Sequence, residues 1–408
     1  MSISSLCKSG TRIASSTNGP SLRLLYVAST KSQGGIETHS VEMAEALSRC
    51  GAFVQFACRP GGFIERWCRE CGLPTAAFRV RNSGDFGAAL RLARIISNED
   101  IDIVHVHSRR DYVVAVLGVA LARRRSRRPI GLVLHAHMIR PLGGQSRLTG
   151  RFIEWGADAV AAVSSAVADL VRHEHQFRPD FVQLIPNGVN LAEFSQPGSP
   201  EAASQREDLR ESLSIPDDAL VIGMIGRLDA KGQKQLLKVM PKLLTHCPTL
   251  RVVLAGSEGK PNEQAVLTAL ASAHGFEDHL IFTGPRLDIP ELLSAFDILV
   301  HLPIDEAFGL VIVEAMASGL STVATDIGGC REVVLEGVTG FLVPPDDLDA
   351  LSEALLRLLD PIEGASRRAE MGRAGRHAAE SDFSQELQIE RLLALYREIG
   401  DKTIKPMA

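Results

Sequence analysis

The chain predicts an α/β protein of two doubly wound domains, and three observations carry that prediction. Short β-branched or leucine-rich runs alternate with longer amphipathic stretches, as strands and covering helices do. The alternation pauses at residues 196–207, where Pro197, Gly198, Ser199, Pro200 and Ser204 give the composition of a linker, and then restarts. A length of 408 residues suits two domains of roughly 200 residues each.

In the first half the expected strands are Leu24–Ala28, Phe53–Ala57, Ile103–His107, Leu132–His135, Ala159–Val163 and Val182–Ile185. Between them, Glu42–Cys50 and Phe86–Ile96 show the three-to-four spacing of helices packed on a sheet. Their continuous rather than alternating apolar character points to parallel strands covered on both faces. Beyond the linker follow Val221–Ile225, Val252–Ala255, Leu280–Phe282, Ile298–His301, Thr322–Ala324 and Phe341–Val343, each leading into a helical pattern. Near the end, Leu387–Ile399 places Leu392, Leu393, Leu395 and Tyr396 on one side of a helix. The expected organisation is a loose tail over 1–22, an N-terminal domain over 23–195 with a C-terminal helix at about 383–400 packing back on it, and a second domain over 208–382. Two such domains are expected to face each other across a cleft, with ligands at the carboxyl ends of their strands.

Composition narrows the class. Hydrophobic residues make up 45% of the chain and charged residues 23%, which argues against disorder. The longest apolar run, Tyr112 to Ala122, is far short of the ~20 residues that span a bilayer. Seven cysteines without regular spacing fit a reducing compartment, and Cys68-Arg69-Glu70-Cys71 lacks the second pair that a zinc site would need. The expected setting is the cytoplasm. Residues 1–195 hold 24 Lys and Arg against 16 Asp and Glu, whereas residues 196–408 hold 20 against 33. The basic first half suggests an anionic partner.

The chemistry concentrates in the second half. Glu314 lies in Gly309-Leu310-Val311-Ile312-Val313-Glu314-Ala315-Met316-Ala317, surroundings in which an unpartnered carboxylate is costly, so it is expected to meet a donor. Glu306 precedes it by eight positions, giving E-x7-E with a Phe308-Gly309 turn between. Gly309 can open a helix whose first amides and positive dipole end suit a phosphate. Upstream, strand Val221–Ile225 runs into Gly226-Arg227-Leu228-Asp229-Ala230-Lys231-Gly232, two cations past a strand end and a plausible diphosphate clamp.

The first half offers weaker signals. Ser32-Gln33-Gly34-Gly35-Ile36-Glu37-Thr38 combines two glycines with a helix start. Neither G-x-G-x-x-G nor G-x4-G-K-[ST] occurs, which removes the main support for nicotinamide and P-loop readings. His135 and His137 close a strand and alternate onto one side, where a histidine can bond a substrate hydroxyl or shuttle a proton. His105 and His107 form a similar pair and read as structural; no spacing among the four histidines demands a metal. Arg123-Arg124-Arg125-Ser126-Arg127-Arg128 reads as a solvated helix end, with anionic lipid as the alternative. Nucleic acid is disfavoured because no aromatics interleave with these arginines.

Together these residues resemble the GT-B glycosyltransferases, specifically the large retaining family 4, over most of residues 23–400. The resemblance is strongest in Phe296–Val300, Glu306–Leu310, Glu314–Gly319 and Thr325–Gly329, with further matches at Ile185–Asn190, the Gly34-Gly35 loop and Gly340–Pro345. It implies that Arg227 and Lys231 bind the diphosphate of a nucleotide-sugar donor, that Glu314 binds the ribose hydroxyls and that Glu306 contacts the transferred sugar. Gly309 and Leu310, beside Phe308, would offer backbone amides to the phosphates; His135 would approach the reacting centre, and Gly35 would lie near donor and acceptor. The Arg-to-Lys spacing is one residue shorter than the family pattern, which makes Lys234 an alternative to Lys231, and Leu302-Pro303-Ile304 replaces the usual Pro-Ser before the first Glu.

The implied activity is retaining transfer of a hexosyl group to an acceptor hydroxyl, without metal or cofactor, in glycolipid, polysaccharide or cell-envelope glycan synthesis. The acceptor is expected to be lipid-linked or anionic, with peripheral contact at the inner face of the membrane through the basic half. The alternatives are a nucleotide-sugar epimerase of the same architecture and a catalytically silent sugar-nucleotide-binding subunit.

Overall fold

The computed structural model describes residues 22–31, 34–126, 128–142 and 147–404, the side chains of Arg147 and residues 402–404 excepted. The expected tail over 1–22, apart from Leu22, and Ser32, Gln33 and Arg127 therefore lie outside the described residues. The chain forms two units: one comprises residues up to Pro186 together with Gln385 onward, the other Asn187–Ser384.

The first unit contains β1 (Arg23–Ala28), β2 (Phe53–Cys58), β3 (Thr75–Ala77), β4 (Ile103–Val106), β5 (Gly131–Ala136), β6 (Ala159–Ala162) and β7 (Val182–Leu184). They pair in parallel in the order β3-β2-β1-β4-β5-β6-β7. Every residue of β4, β5 and β6 is buried, as expected of strands with helices on both faces. The order reverses between β1 and β4, and such reversals open a crevice beyond the strand ends. There Asp111 holds the end of β1: its carboxylate accepts from the Ser29 amide at 2.7 Å and from the Ser29 hydroxyl at 2.5 Å. The helix Gln385–Ile404 belongs to this unit and adds Ile389, Leu392, Leu395, Tyr396 and Ile399 to a core shared with Leu24, Tyr26, Ile103 and Val133.

The second unit contains β8 (Val221–Ile225), β9 (Arg251–Ala255), β10 (Leu280–Gly284), β11 (Ile298–His301), β12 (Ser321–Thr325) and β13 (Gly340–Val343), parallel in the order β10-β9-β8-β11-β12-β13. Its reversal lies between β8 and β11, so the loops after these two strands flank the crevice.

Two expectations about organisation are corrected. Residues 187–195 go with the second unit: the Val189 amide bonds the Phe383 carbonyl at 2.9 Å, and Arg376 donates to the carbonyls of Phe194 at 3.3 Å and Ala317 at 2.5 Å. The stretch read as a linker carries a helix, Pro200–Ser212, started by the Ser199 hydroxyl accepting from Ala202 and by a proline in its first turn. Its Arg206 reaches Asp297 Oδ1 at 2.7 Å, while Asp297 Oδ2 lies 3.7 Å from Arg210 and receives the Val221 amide at 2.7 Å. The helix is thus bolted to the start of β8.

The arginine run after helix Tyr112–Arg123 is partly structural. Arg123 is spent inside its unit, donating to the carbonyls of Ile130 and Gly156 and to Asp158. Among the described residues no helix is long and apolar enough to cross a membrane, and all six described cysteines are free thiols.

Removing Asp297 leaves the buried Arg210 guanidinium without its carboxylate and the Val221 amide without its acceptor. Asp297→Ala is expected to lower the unfolding free energy of the second unit by about 3 kcal/mol. Urea unfolding of parent and variant at one pH checks this.

Candidate active site

At the second reversal, β8 ends in Ile225 and runs through Gly226 into the Arg227–Lys231 loop, while β11 ends in His301 and leads to Glu306. Their side chains converge. Lys231 Nζ lies 2.6 Å and His301 Nε2 2.9 Å from the same carboxylate oxygen of Glu306, Oε2. Burial alone would raise the Glu306 carboxyl, but the His301 hydrogen bond and the Lys231 ammonium outweigh it and hold the group well below the usual carboxylate range. Burial pushes the His301 pKa down against the opposing pull of Glu306, so a neutral imidazole donating Nε2–H fits this geometry. Lys234, the alternative cation, is engaged elsewhere, 2.7 Å from the buried Glu263. Arg227 is exposed and only loosely paired, 3.6 Å from Asp229.

From Glu306 the chain turns through Ala307-Phe308-Gly309 into the helix Leu310–Ala317. Gly309 caps that helix at φ 91°, in the left-handed region that favours glycine. A Cβ on Gly329 would fall 2.3 Å from Phe308 Cα, and the Gly329 amide bonds the Glu306 carbonyl at 3.0 Å, so the loop after β12 seats directly on this turn. Among the described residues the amides of Gly309, Leu310 and Val311 meet no backbone acceptor, which is the arrangement that receives an anion. Phe308 itself is buried edge-on against Phe383, so only its main chain borders the turn.

Glu314, one turn into this helix, departs from expectation. It was expected to meet a donor, yet among the described residues its half-buried carboxyl has no hydrogen-bond partner. Burial, with the neighbouring charge of Glu193, instead raises its pKa to about 7. A carboxyl held this way has both oxygens open to donors from a ligand.

In the first unit the ends of β1, β4 and β5 border a concavity of ≈ 320 Å³ whose lining includes Thr30, Glu37, His107, Ser108, Arg109 and His137. His135 does not line it. The alternation that pointed His135 and His137 to one side is seen in their rings, stacked 4.0 Å apart, but His135 lies inward of the wall, with both ring nitrogens buried and unpartnered. Its ring stacks on His105 at 5.0 Å, and His105 Nδ1 bonds the Tyr396 hydroxyl. Burial drives the pKa of all four histidines down, and each is neutral at physiological pH. Nitrogens of His105, His107 and His135 come within 4.8 Å of one another, a spacing that a metal ion could bridge. Gly35 opens the helix Gly35–Arg49 on the exposed side, with no atom within 4 Å of where its Cβ would stand.

Residues 33–193 match glycosyltransferase family 4, and residues 205–378 match the glycosyl transferases group 1. A D-inositol 3-phosphate glycosyltransferase of Xylanimonas cellulosilytica is 30% identical over 94% of this chain and 97% of its own length. The chain belongs to the group 1 glycosyltransferases. A GDP-mannose-dependent alpha-(1-6)-phosphatidylinositol monomannoside mannosyltransferase of Mycolicibacterium smegmatis is 31% identical over 75% of this chain and 79% of its own. Among solved structures, a Rickettsia africae glycosyltransferase shares the fold with a TM-score of 0.83, at 24% identity over 93% of this chain and 99% of that one. Anabaena HepE, solved with UDP and glucose, shares it with a TM-score of 0.78, at 22% identity over 92% and 99%. These likenesses support the GT-B fold of two Rossmann-like domains.

Two residues of this glycosyltransferase's candidate site escaped the reading from sequence, His301 and Glu193; of the pair His135 and His137 that the sequence offered, it is His137 that lines the concavity, together with His107. His301 carried a signal, an imidazole closing an otherwise apolar strand five positions before Glu306. Glu193 had none, since its proximity to Glu314 is purely tertiary.

The folded pKa of Glu314 lies above its ordinary value of 4.5, so ionising it opposes folding as pH rises from the ordinary value through about 7. Glu314→Gln is expected to be more stable than the parent at pH 8 by an amount on the order of 2 kcal/mol and to match it at pH 4. Denaturant melts at both pH values measure the difference.

Proposed function

We propose that this glycosyltransferase moves a hexosyl group from a nucleotide-sugar donor to an acceptor hydroxyl with retention of anomeric configuration, in the building of a glycolipid, polysaccharide or cell-envelope glycan. The observation that carries the reading is the Lys231–Glu306–His301 cluster beside the open amides of Gly309 and Leu310, with the unpartnered Glu314 carboxyl one turn further on. A diphosphate, a ribose and a hexose present in turn two negative charges, a pair of hydroxyls and more hydroxyls, and the site offers a matching series.

In this reading the amides and Arg227 take the phosphates, and Lys231 turns toward them from Glu306. Glu314 accepts from the ribose hydroxyls. Glu306, released in part from Lys231, accepts from a sugar hydroxyl while His301 keeps it oriented. In the first unit His137, which lines the concavity, replaces the inward His135 as the histidine assigned to turnover.

No carboxylate of the site is placed as a nucleophile, so the acceptor oxygen attacks the anomeric carbon on the face from which the diphosphate leaves. The new C–O bond forms as the sugar–phosphate C–O bond breaks, and the acceptor proton passes to an oxygen of the departing diphosphate. The countercharge comes from Lys231, Arg227 and the helix amides, and the scheme calls on no metal. Relatives are named for GDP-mannose and a structural neighbour was solved with UDP, so both bases belong in the donor screen.

Calorimetric titration with UDP, GDP and ADP is expected to show saturable binding of at least one, weakened roughly tenfold or more in Glu314→Ala through loss of charge-assisted bonds to the ribose. Absence of binding by all three would sink the reading. In turnover assays with the donor so identified, His137→Ala is expected to reduce kcat by more than it alters donor KM; an equal loss in both contradicts the place given to His137.

A further inference from the structure

The established family and the donor site leave one feature of the first unit unused. From Arg49 to Arg178 every cation in the sequence is an arginine. Four of them, Arg59, Arg79, Arg81 and Arg91, line a second concavity of ≈ 390 Å³ together with Pro60, Ala77 and Phe78, and no acid is among its lining residues. It sits at the carboxyl ends of β2 and β3, where the Phe78 amide bonds the Cys58 carbonyl at 2.7 Å and brings the two strand ends side by side. That is where open parallel sheets hold their ligands.

The segment is built to present its cations. Phe78 and Val80 are buried and anchor it, leaving the intervening Arg79 and Arg81 exposed. Two arginines brace its main chain: Arg91, one of the four lining residues, donates to the Arg79 carbonyl at 3.0 Å, and Arg110 donates to the Arg81 carbonyl at 2.6 Å. Among the described residues the guanidinium groups of Arg59, Arg79 and Arg81 have no hydrogen-bond or ion-pair partner. Asp85, which lies 4.0 Å from Arg91, is committed, accepting from the amides of Ala88 and Arg81. Like charges gathered round a hollow repel one another, and an anion relieves that repulsion. Arg rather than Lys suits phosphate, since its planar fork grips two oxygens at once. Arg110 also lines the concavity that holds His137, so its bond to Arg81 ties the walls of the two hollows together.

We propose that this arginine-lined hollow binds a phosphate group carried by the acceptor, so that the enzyme glycosylates phosphorylated acceptors. The assignment to the acceptor rests on the transferase reading above; the anion site does not. Inorganic phosphate is titrated into the full chain held at saturating nucleoside diphosphate, which removes the donor cradle from competition. Saturable heat is expected, with affinity at least tenfold lower in Arg79→Ala/Arg81→Ala, and an unchanged melting temperature and nucleotide affinity in that variant show that it remains folded. Inositol against inositol monophosphate, and phosphatidylcholine vesicles with and without phosphatidylglycerol, then separate a soluble phosphate ester from a lipid headgroup. Preference for the phosphorylated member of either pair, lost in the variant, supports the proposal and names the source. No heat with phosphate, or equal binding by parent and variant, overturns it. Failure of nucleoside diphosphates to bind would instead strike the transferase reading and leave the phosphate result to stand alone.

Discussion

The ionised carboxylate of Glu306, held between Lys231 and His301, is the interaction on which the second unit's site depends. Lys231 comes from the loop after β8, and His301 ends β11. These are the neighbouring strands at which the sheet order reverses. A reversal opens a crevice because the connections leaving the two strands run to opposite sides of the sheet. One carboxylate receiving a bond from each side fixes the separation of those loops. It also fixes the Ala307-Phe308-Gly309 turn, whose glycine starts the helix carrying Glu314, and against which Gly329 packs without room for a Cβ. Loss of the Glu306 charge would therefore disturb the loop that carries Lys231, the open amides at the helix start and the position of Glu314 together.

The first unit uses the same topology with other chemistry. At its reversal Asp111 binds both amide and hydroxyl of Ser29, closing the end of β1 against the segment after β4. Beneath that crevice the stacked His105, His107, His135 and His137 are neutral because burial resists a charge on each and their neighbours add to the resistance. The stack ends at Tyr396, whose hydroxyl meets both His105 and Tyr26, so the C-terminal helix supports the floor of the concavity from below.

How much of this was legible in the sequence varied with the physical origin of each feature. Val221–Ile225 and Ile298–His301 were read to the residue because fully buried parallel strands are continuous apolar runs bounded by glycine or polar residues. Thr75–Ala77 was missed because a three-residue edge strand, partly exposed, has no pattern to detect. The helix Pro200–Ser212 was missed because its polar residues mimic a linker; it is held by Ser199 at its start and by arginine pairs to Asp297, which periodicity does not register. Alternation correctly joined His135 to His137, yet which ring reaches the wall depends on how far the strand runs before the chain turns away.

The two glutamates of E-x7-E show why spacing alone cannot assign roles. Both acids lie in sparsely hydrated places, where burial raises a carboxyl's pKa. At Glu306 a hydrogen bond and an ammonium reverse that effect, whereas at Glu314 a second carboxylate, Glu193, adds to it. Environments that push two carboxyls apart divide their labour. Glu306 is a permanent anion already paid in protein partners, suited to positioning; Glu314 is poised near neutrality with no protein partner, suited to exchanging its proton for a ligand's hydroxyl bonds. A ligand that donates to Glu314 stabilises the charged form and lowers its pKa on binding, so affinity must climb as pH rises toward about 7 and level off above it. Nothing comparable follows for Glu306, whose charge is fixed throughout that range.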